Sequence, residues 1–310
     1  MMLPYLPKID IILATHNGER YIAEFFDSII KQSYQNWSLL VSDDLSKDRT
    51  RQIVSYYCQK DNRIKLVSTA QQGGVIKNFA KCISYSSSNY LMFADQDDVW
   101  LPDKITLSLK TILKEEEQRG SSCPILVFTD LKLVDEYLNI ISDSFYRFNR
   151  LNPVHNTHIQ YLTWKSTVFG CSTIFNSSLK NKVGNIDDRV MMHDHIFALI
   201  ACLFGKVVYL NEATILYRQH SNNQVGGLRK NFIHKLINLS YYIKSLHRYR
   251  KKFFTQIDFI NERFKQESSS LNFSLLTLND RWIYIKNNLL PYVSENPAFT
   301  IALSILILLK

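Results

Sequence analysis

Residues 9–44 read IDIILATHNGERYIAEFFDSIIKQSYQNWSLLVSDD. The stretch begins with an apolar run (9–14), continues with apolar residues that recur every three or four positions (21–32), and ends with a second apolar run (39–42). Short apolar runs predict strands that are buried on both faces, and the three-to-four spacing predicts an amphipathic helix. The order strand, helix, strand predicts two parallel strands joined by a crossover helix.

The same alternation continues to residue 131, which predicts an α/β, Rossmann-like fold with a mainly parallel sheet and helices on both faces. The further strands are expected at 64–67, 90–94 and 125–129, and the further helices at 49–60, 75–86 and 103–119. Beyond this region we expect a strand within 168–176, a helix at 193–204, and two short strands within 206–218 around a turn at Asn211-Glu212.

Polar and acidic residues follow three of the predicted strands. Thr15-His16-Asn17 follows the first strand, Asp43-Asp44 the second, and Asp95-Gln96-Asp97-Asp98 the fourth. Parallel α/β sheets bind ligands beyond the carboxyl ends of their strands, so these residues are expected to meet at one binding edge.

The acidic cluster Asp95, Asp97 and Asp98 is the sharpest chemical signal. Three carboxylates directly after a buried strand repel one another unless a cation neutralises them. Their hard oxygen ligands suit Mg²⁺ or Mn²⁺, and such an ion can also bind diphosphate oxygens. The alternative is that Asp97 or Asp98 simply caps the following helix, near Pro102.

Nucleotide binding through a glycine-rich loop is disfavoured, because no GxGxxG follows the first strand and no GxxxxGK[ST] occurs. Phosphates would instead be held through the metal and through cations such as Lys77 or Arg218. A carboxylate in the pair Asp43-Asp44 could accept a hydrogen bond from a pyrimidine ring N–H or from ribose hydroxyls. Taken alone, however, that segment is also an ordinary strand-turn-helix junction.

The charge of the chain is concentrated near one end. The 310 residues are 46% apolar and carry a formal charge of +9, which excludes a disordered chain and a disulfide-stapled miniprotein. Residues 228–266 alone contain ten basic and two acidic residues, with apolar residues at helical spacing between them. We place a domain boundary at residue 227, between a catalytic domain (1–227) and a basic amphipathic helical region (228–310).

A basic amphipathic helix is typical of proteins that bind an anionic membrane surface. The alternative is a packed helical appendage with a solvated basic face, and nucleic acid is disfavoured because no recognised binding motif accompanies the charge. The longest apolar run, 305–309, is too short to cross a bilayer. It could end the core, lie at the membrane interface or begin a longer tail. The N-terminus does not resemble a signal peptide, and the five scattered cysteines favour reduced thiols and a cytoplasmic setting.

Several stretches, in this order, resemble the family 2 glycosyltransferases of GT-A fold. They are ATHNGE, LLVSDDLSKDRT, QQGGVIKNFAKCI, YLMFADQDDVWLPDKI, MMHDHIFALIA and YRQH. The resemblance covers about residues 7–227 and is strongest to the bacterial branch that builds surface polysaccharides, which includes rhamnosyltransferases.

The resemblance implies a role for individual residues. In the implied donor site, Thr15 and Asn17 lie at the nucleobase and ribose, and Asp43 contacts the base with Asp44 beside it. Lys77 and Asn78 border the donor pocket, and Asp95 lies near the ribose or the sugar. Asp97 would be the metal ligand, and His220 would complete the metal site. Asp194 would be the general base. Gly170, His193, Asp98, Trp100 and Arg218 are further candidates for the acceptor pocket or its surroundings.

The residues themselves leave simpler interpretations open for several of these positions. Asp194 could only stabilise the start of its helix, since an acidic side chain interacts favourably with a helix N-terminus. His193 could be a packing residue, Trp100 could pack under the acidic turn, and His220 could be a loop histidine without a ligand.

The implied activity is metal-dependent sugar transfer with inversion. Because the chain lacks the QxxRW motif of processive members, addition of a single sugar is favoured over polymer synthesis. The implied donor is dTDP-L-rhamnose, with a UDP-hexose or UDP-N-acetylhexosamine as the alternative, and the cofactor is Mn²⁺ or Mg²⁺. The acceptor would be a saccharide on polyprenyl diphosphate, reached by a peripheral enzyme at the inner face of the plasma membrane. Two other classes stay open: a non-catalytic scaffold that binds nucleotide sugars, and a different phosphate-transfer enzyme.

Overall fold

The structure is a computed structural model that describes residues 7–220, 239–265, 267 and 277–309. Within these described residues, nine strands form one sheet in the order β3-β2-β1-β4-β8-β6-β9-β5, with β7 paired to β6. The strands are β1 (Ile9–Thr15), β2 (Trp37–Asp43), β3 (Ile64–Ser68), β4 (Tyr90–Ala94), β5 (Val99–Trp100), β6 (Ile125–Val134), β7 (Ile140–Ser142), β8 (Thr173–Asn176) and β9 (Lys206–Arg218).

The helices cover the sheet and form a separate group near the C-terminus. They are α1 (Ile22–Ile30), α2 (Thr50–Lys60), α3 (Val75–Ile83), α4 (Lys104–Arg119), α5 (Phe145–Asn149), α6 (Ile159–Leu162), α7 (Ser177–Val183), α8 (His193–Phe204), α9 (Leu239–Arg263), α10 (Leu278–Tyr284) and α11 (Pro297–Leu308). Shorter helical turns lie at Pro153–Thr157, Gly170–Ser172, Ile285–Leu289 and Leu290–Glu295.

The first four main strands and their helices form as the sequence predicts. Ile11, Ile12 and Leu13 of β1 are fully buried, as a strand covered on both faces requires. In α1 the buried residues Ile22, Phe25, Phe26 and Ile29 recur at the spacing of one helix face. Because β1 pairs in parallel with both β2 and β4, the carboxyl ends of these three strands meet at one edge.

The sheet is mixed, and this differs in detail from the alternation predicted for its later part. β8 lies between β4 and β6 and runs antiparallel to both. The prediction of two strands within 206–218 is wrong, since β9 is one long strand. Its pairing with β6 passes from Thr129↔Leu210 directly to Asp130↔Ala213, so Asn211 and Glu212 form a bulge instead of a turn.

The predicted domain boundary at residue 227 lies outside the described residues, as do Phe232 and Leu236 of the basic segment. The described part of α9 packs tightly on the protein. Phe259, Ile260 and Phe264 join the main core. Phe253 and Ile257 join a second core with Trp164 and residues of the last helices. Each such burial contributes about 1.5–3 kcal/mol relative to exposure, so this apolar stripe stabilises the fold.

The last described helices complete the second core. Leu303 and Ile307 of α11 are fully buried, and the Trp164 indole N–H donates to the carbonyl of Asn288 at 2.7 Å. Among residues 7–220, 239–265, 267 and 277–309, none of the helices combines the length and the apolar character that a membrane span requires.

Candidate active site

A cleft of about 1190 Å³ opens at the carboxyl ends of β1, β2 and β4. Its other walls come from α3, α8 and α9. Ten of the residues singled out from the sequence line this cleft: Thr15, Asn17, Asp44, Asn78, Asp95, Asp97, Gly170, His193, Asp194 and His220. Asp43, Lys77, Asp98, Trp100 and Arg218 do not line it and lie behind or beside it.

Asp97 and His220 come together from distant parts of the chain. The imidazole Nε2 of His220, just after β9, lies 2.7 Å from Oδ2 of Asp97, in the turn between β4 and β5. The ring of Tyr21 lies beside that of His220, with 5.1 Å between the centroids. The pairing places a carboxylate and an imidazole on one side of the cleft, which is a donor set for a divalent cation.

Asp95 is half-buried beside two other acidic residues. Desolvation, followed by the negative charges of Asp97 and Asp194, raises the pKa of Asp95 to about 7. A divalent cation in the cleft would remove this repulsion, so the residues present fit such an ion.

Asp95 also approaches Asp98 and Cys171 beneath the cleft, where one ligand atom of each residue lies within 4.8 Å of the others. Burial raises the pKa of the Cys171 thiol well above its usual value, which keeps the thiol protonated. A protonated thiol is a poor ligand for a hard cation, so a metal fits the cleft side at Asp97 better than this buried cluster.

Arg218 holds the acidic turn from behind. Its guanidinium is almost fully buried, donates from Nε to the carbonyl of Asp97 at 2.9 Å, and pairs with Glu24. Its backbone N–H donates to Oδ1 of the buried Asp98 at 3.2 Å. Arg218 is therefore placed to fix the position of Asp97, instead of facing a ligand in the cleft.

Trp100 and Lys104 pack under the same turn. Trp100 is buried, and the Nζ of Lys104 lies 4.6 Å from its ring centroid. Burial lowers the pKa of Lys104 to about 7. These contacts match the packing interpretation of Trp100.

Asp194 lies in the first turn of α8 and points towards Gly170. Its Oδ2 accepts the backbone N–H of Gly170 at 2.8 Å, and its Oδ1 accepts that of His195 at 2.7 Å. Desolvation outweighs these hydrogen bonds and raises the pKa of Asp194 to about 6. A carboxylate held in place with a pKa near neutrality is suited to accept a proton.

The histidines on either side of Asp194 have packing roles. His193 stacks on Phe79 with a centroid distance of 3.7 Å, and burial lowers its pKa to about 3. His195 places Nε2 2.6 Å from the carbonyl of Leu162, and burial lowers its pKa to about 4. Both rings are therefore neutral at physiological pH. A Cβ on Gly170 would lie 2.8 Å from Nε2 of His193, so only glycine fits between this ring and Asp194.

Asp43, the last residue of β2, is enclosed by neighbouring residues. Its carboxylate accepts hydrogen bonds from the hydroxyl of Thr15 at 2.9 Å and from the backbone N–H of Ser46 at 2.8 Å. It has no exposed surface. Asp43 therefore orients Thr15, which does line the cleft.

Asp44 binds the loop that precedes α3. Its carboxylate accepts backbone N–H groups from Gln72, Gly73 and Gly74 at 2.5, 3.2 and 2.8 Å. Although partial burial opposes ionisation, these bonds hold the pKa of Asp44 below its usual value. Gly74 has φ +126, a backbone conformation that residues other than glycine rarely adopt.

Asn17 and Asn78 line the cleft, whereas Lys77 does not. Asn17 has φ 46, and its Oδ1 accepts the backbone N–H of Lys47 at 2.9 Å. The amide of Asn78 is buried and donates to the carbonyls of Thr15 and Ser42 at 3.2 and 3.0 Å. Lys77 points away and pairs with the exposed Asp188 at 2.6 Å.

Comparison with known proteins decides the family. The model of "Glycosyl transferase family 2" matches residues 10–181. The chain belongs to glycosyltransferase family 2. It is 30% identical over 223 residues to the dTDP-rhamnosyl transferase RfbG of Shigella flexneri, covering 69% of this chain and 74% of that protein.

A second relative and a solved structure extend the comparison. UDP-Glc:alpha-D-GlcNAc-diphosphoundecaprenol beta-1,3-glucosyltransferase WfgD of Escherichia coli is 35% identical over 106 residues, which is 34% of this chain and 41% of that protein. The mannosyltransferase PcManGT of Pyrobaculum calidifontis, solved with GDP-Man and Mn²⁺, superposes with a TM-score of 0.56 at 15% identity over 99% of this chain and 88% of that chain. This likeness confirms the predicted GT-A fold.

Two groups of residues in the cleft of this glycosyltransferase received no individual role in the predictions made from the sequence. Gln96 bridges two loops, because its amide accepts the backbone N–H of His16 and donates to its carbonyl, both at 3.0 Å. Its position between the acidic residues was the available signal. The second group is a wall made by α9 with Ser245, Arg248, Tyr249 and Lys252. Their spacing marks one helix face, but from the sequence the basic residues were expected either at a membrane surface or on a solvated face of a packed helix.

Proposed function

We propose that this family 2 glycosyltransferase transfers one sugar with inversion, in a divalent cation-dependent reaction that serves bacterial surface-polysaccharide synthesis. The observation that carries the proposal is the single cleft that contains the Asp95, Asp97 and His220 group together with Asp194. The first group suits a nucleotide-sugar diphosphate, and the second suits an attacking hydroxyl.

The donor half of the site uses residues at the strand ends. Asp97 and His220, with Asp95, would hold Mn²⁺ or Mg²⁺, and the ion would neutralise charge that develops on the leaving diphosphate. Thr15, Asn17, Asp44 and Asn78 would surround the nucleoside, with Asp43 acting through Thr15.

The acceptor half uses Asp194 and the backbone around Gly170. The acceptor hydroxyl must lose its proton as the bond to the anomeric carbon forms, and an ionised Asp194 can take it. The Gly170 N–H holds Oδ2 in a fixed direction, which leaves the carboxylate oriented without a large rearrangement. A single displacement of this kind inverts the configuration at the anomeric carbon.

We propose dTDP-L-rhamnose as the donor, which the name of the Shigella relative supports, and UDP-hexose as the second candidate, which the name of the E. coli relative supports. The test is a thermal-shift panel of dTDP-rhamnose, UDP-glucose and UDP-GlcNAc, each with and without Mn²⁺, followed by product analysis. A Mn²⁺-dependent shift with dTDP-rhamnose and a rhamnosylated product are expected. Binding of UDP sugars alone would favour the second candidate, and no nucleotide binding would reject the proposed function.

The proposed acceptor is a saccharide on a polyprenyl diphosphate, at the inner face of the plasma membrane. The E. coli relative carries a diphosphoundecaprenol acceptor in its name. Lys244 of α9 and Lys265, just after this helix, are exposed and do not line the cleft, so they are available to an anionic surface. Charge reversal at both positions should reduce co-sedimentation with phosphatidylglycerol vesicles, whereas unchanged co-sedimentation would reject this membrane contact.

A further inference from the structure

One face of α9 forms a wall of the catalytic cleft. Ser245, Arg248, Tyr249 and Lys252 recur at intervals of three and four residues and all line the cleft. Side chains at this spacing lie on one side of a helix. The wall therefore presents a guanidinium, an ammonium and two hydroxyl-bearing residues along one strip.

The wall is fixed on the half of the site that contains Asp194. The hydroxyl of Tyr249 donates to the carbonyl of Trp164, and Lys252 Nζ donates to the carbonyl of Asp188. Gln256 accepts the backbone N–H of Met191 at 2.8 Å. Because these partners precede Gly170 and Asp194 in the chain by a few residues, α9 is joined to the segments that carry the acceptor half.

The two sides of the cleft differ in charge. Asp95 and Asp97 give the sheet edge its acidic character, whereas Arg248 and Lys252 of α9 are cationic. Arg248 is exposed to solvent, so its guanidinium can reach a ligand in the cleft. A guanidinium binds phosphate oxygens through two parallel hydrogen bonds, which makes arginine well suited to this ligand.

We propose that Arg248, assisted by Lys252, binds a phosphate group of the acceptor, at a subsite separate from that of the donor diphosphate. The inference rests on the proposed function, because it takes Asp194 as the residue that faces the acceptor. The donor diphosphate belongs at the other side, where the carboxylates and His220 can share a cation with it. The phosphate comes either from a lipid diphosphate carrier or from a soluble phosphate ester.

The experiment measures binding of octyl diphosphate and inorganic diphosphate to the full chain after saturation with Mn²⁺ and the nucleoside diphosphate chosen by the donor panel. We expect wild type to bind, and Arg248→Gln to bind about tenfold more weakly, as for loss of one charge-assisted interaction. Lys251→Gln is the matched control, since Lys251 is an exposed neighbour outside the cleft, and it should bind as wild type. Tighter binding of octyl diphosphate assigns the lipid carrier, and equal binding assigns a soluble phosphate.

Three results would overturn the proposal. The first is no binding of either diphosphate by a wild type that binds its nucleotide. The second is unchanged binding by Arg248→Gln. The third is that Arg248→Gln and Lys251→Gln weaken diphosphate binding equally and also reduce co-sedimentation with phosphatidylglycerol vesicles equally. That result would indicate that both residues only contribute positive charge to a membrane-facing surface. Failure of the proposed function is distinguishable, because the wild type would then bind no nucleotide at all.

Discussion

One wall of the cleft is formed by the ends of parallel strands, and the other is formed by a helix. The acidic wall lies where β1, β2 and β4 end, and the order of strands along the chain brings its residues together. The cationic wall belongs to α9, which follows the sheet in sequence and reaches the cleft only through side-chain packing. Topology places the first wall, and the fit of individual side chains places the second.

A large loss of activity is expected from a change in the acidic wall. Asp97→Ala removes the carboxylate that pairs with His220, so nucleotide-sugar transfer should fall by about 10²-fold or more, because the charge on the leaving group loses its stabilisation. Steady-state transfer and Mn²⁺-dependent nucleotide binding measure the change.

The matched control is Asp103→Ala, which removes an exposed carboxylate near the same turn. The side chain of Asp103 makes no hydrogen bond that caps a helix, so its loss should not affect the fold. Transfer by this variant should equal that of wild type. A wild-type rate in Asp97→Ala, or equal losses in the two variants, would contradict the role of the acidic wall.

The difference between the two walls explains which parts of the candidate site could be predicted from the sequence. The strand ends Thr15, Asp44 and Asp97 meet as predicted because parallel neighbouring strands align their ends at one edge. Whether a side chain at that edge faces the cleft depends on its local partners. Asp43 turns inwards to Thr15 and Ser46, and Arg218 turns inwards to the acidic loop.

The sequence also predicts the helical spacing of α9, but it does not predict which surface the apolar face of this helix packs against. Apolar residues at that spacing fit a membrane surface and a protein core equally well, since both exclude water. Only the positions of Trp164 and Phe253 in one core determine which surface the helix covers. The location of Arg248 in the cleft follows from that packing.

A smaller effect is expected at Gly170, whose backbone N–H binds Asp194. Gly170→Ala places a Cβ 2.8 Å from Nε2 of His193, so Gly170 or His193 must shift, and Asp194 shifts with them. The single-turnover transfer rate should fall roughly tenfold to hundredfold, as for a small misplacement of a catalytic group. Nucleotide affinity should stay unchanged, because Thr15, Asn17, Asp44 and Asn78, and not Gly170, form the proposed nucleotide site.

The double variant Gly170→Ala/His193→Ala tests the steric cause. It removes the atom that the new Cβ meets, so part of the lost rate should return. An unchanged rate in Gly170→Ala alone would show that the position of Gly170 does not control Asp194.

The smallest expected effect concerns stability. The pKa of Asp95 in the folded protein, about 7, lies above the ordinary aspartate value, so folding favours its protonated form. The wild type therefore loses stability as the pH rises towards and through 7. Asp95→Asn should melt roughly 2–4 °C higher than wild type at pH 8 without metal, and the difference should shrink towards pH 4. A lower melting temperature for the variant at pH 8 would contradict the repulsion between the carboxylates.

The most direct test of the central claim is the pH dependence of sugar transfer by wild type and Asp194→Asn. In the proposed mechanism the ionised Asp194 accepts the proton of the attacking hydroxyl, so the wild-type rate should rise with pH and level off above a pKa of about 6. Asp194→Asn should lose about 10² to 10⁴ of the rate at pH 8 while binding nucleotide as wild type does. A variant that keeps more than a tenth of the wild-type rate, with the same pH profile, would contradict the account.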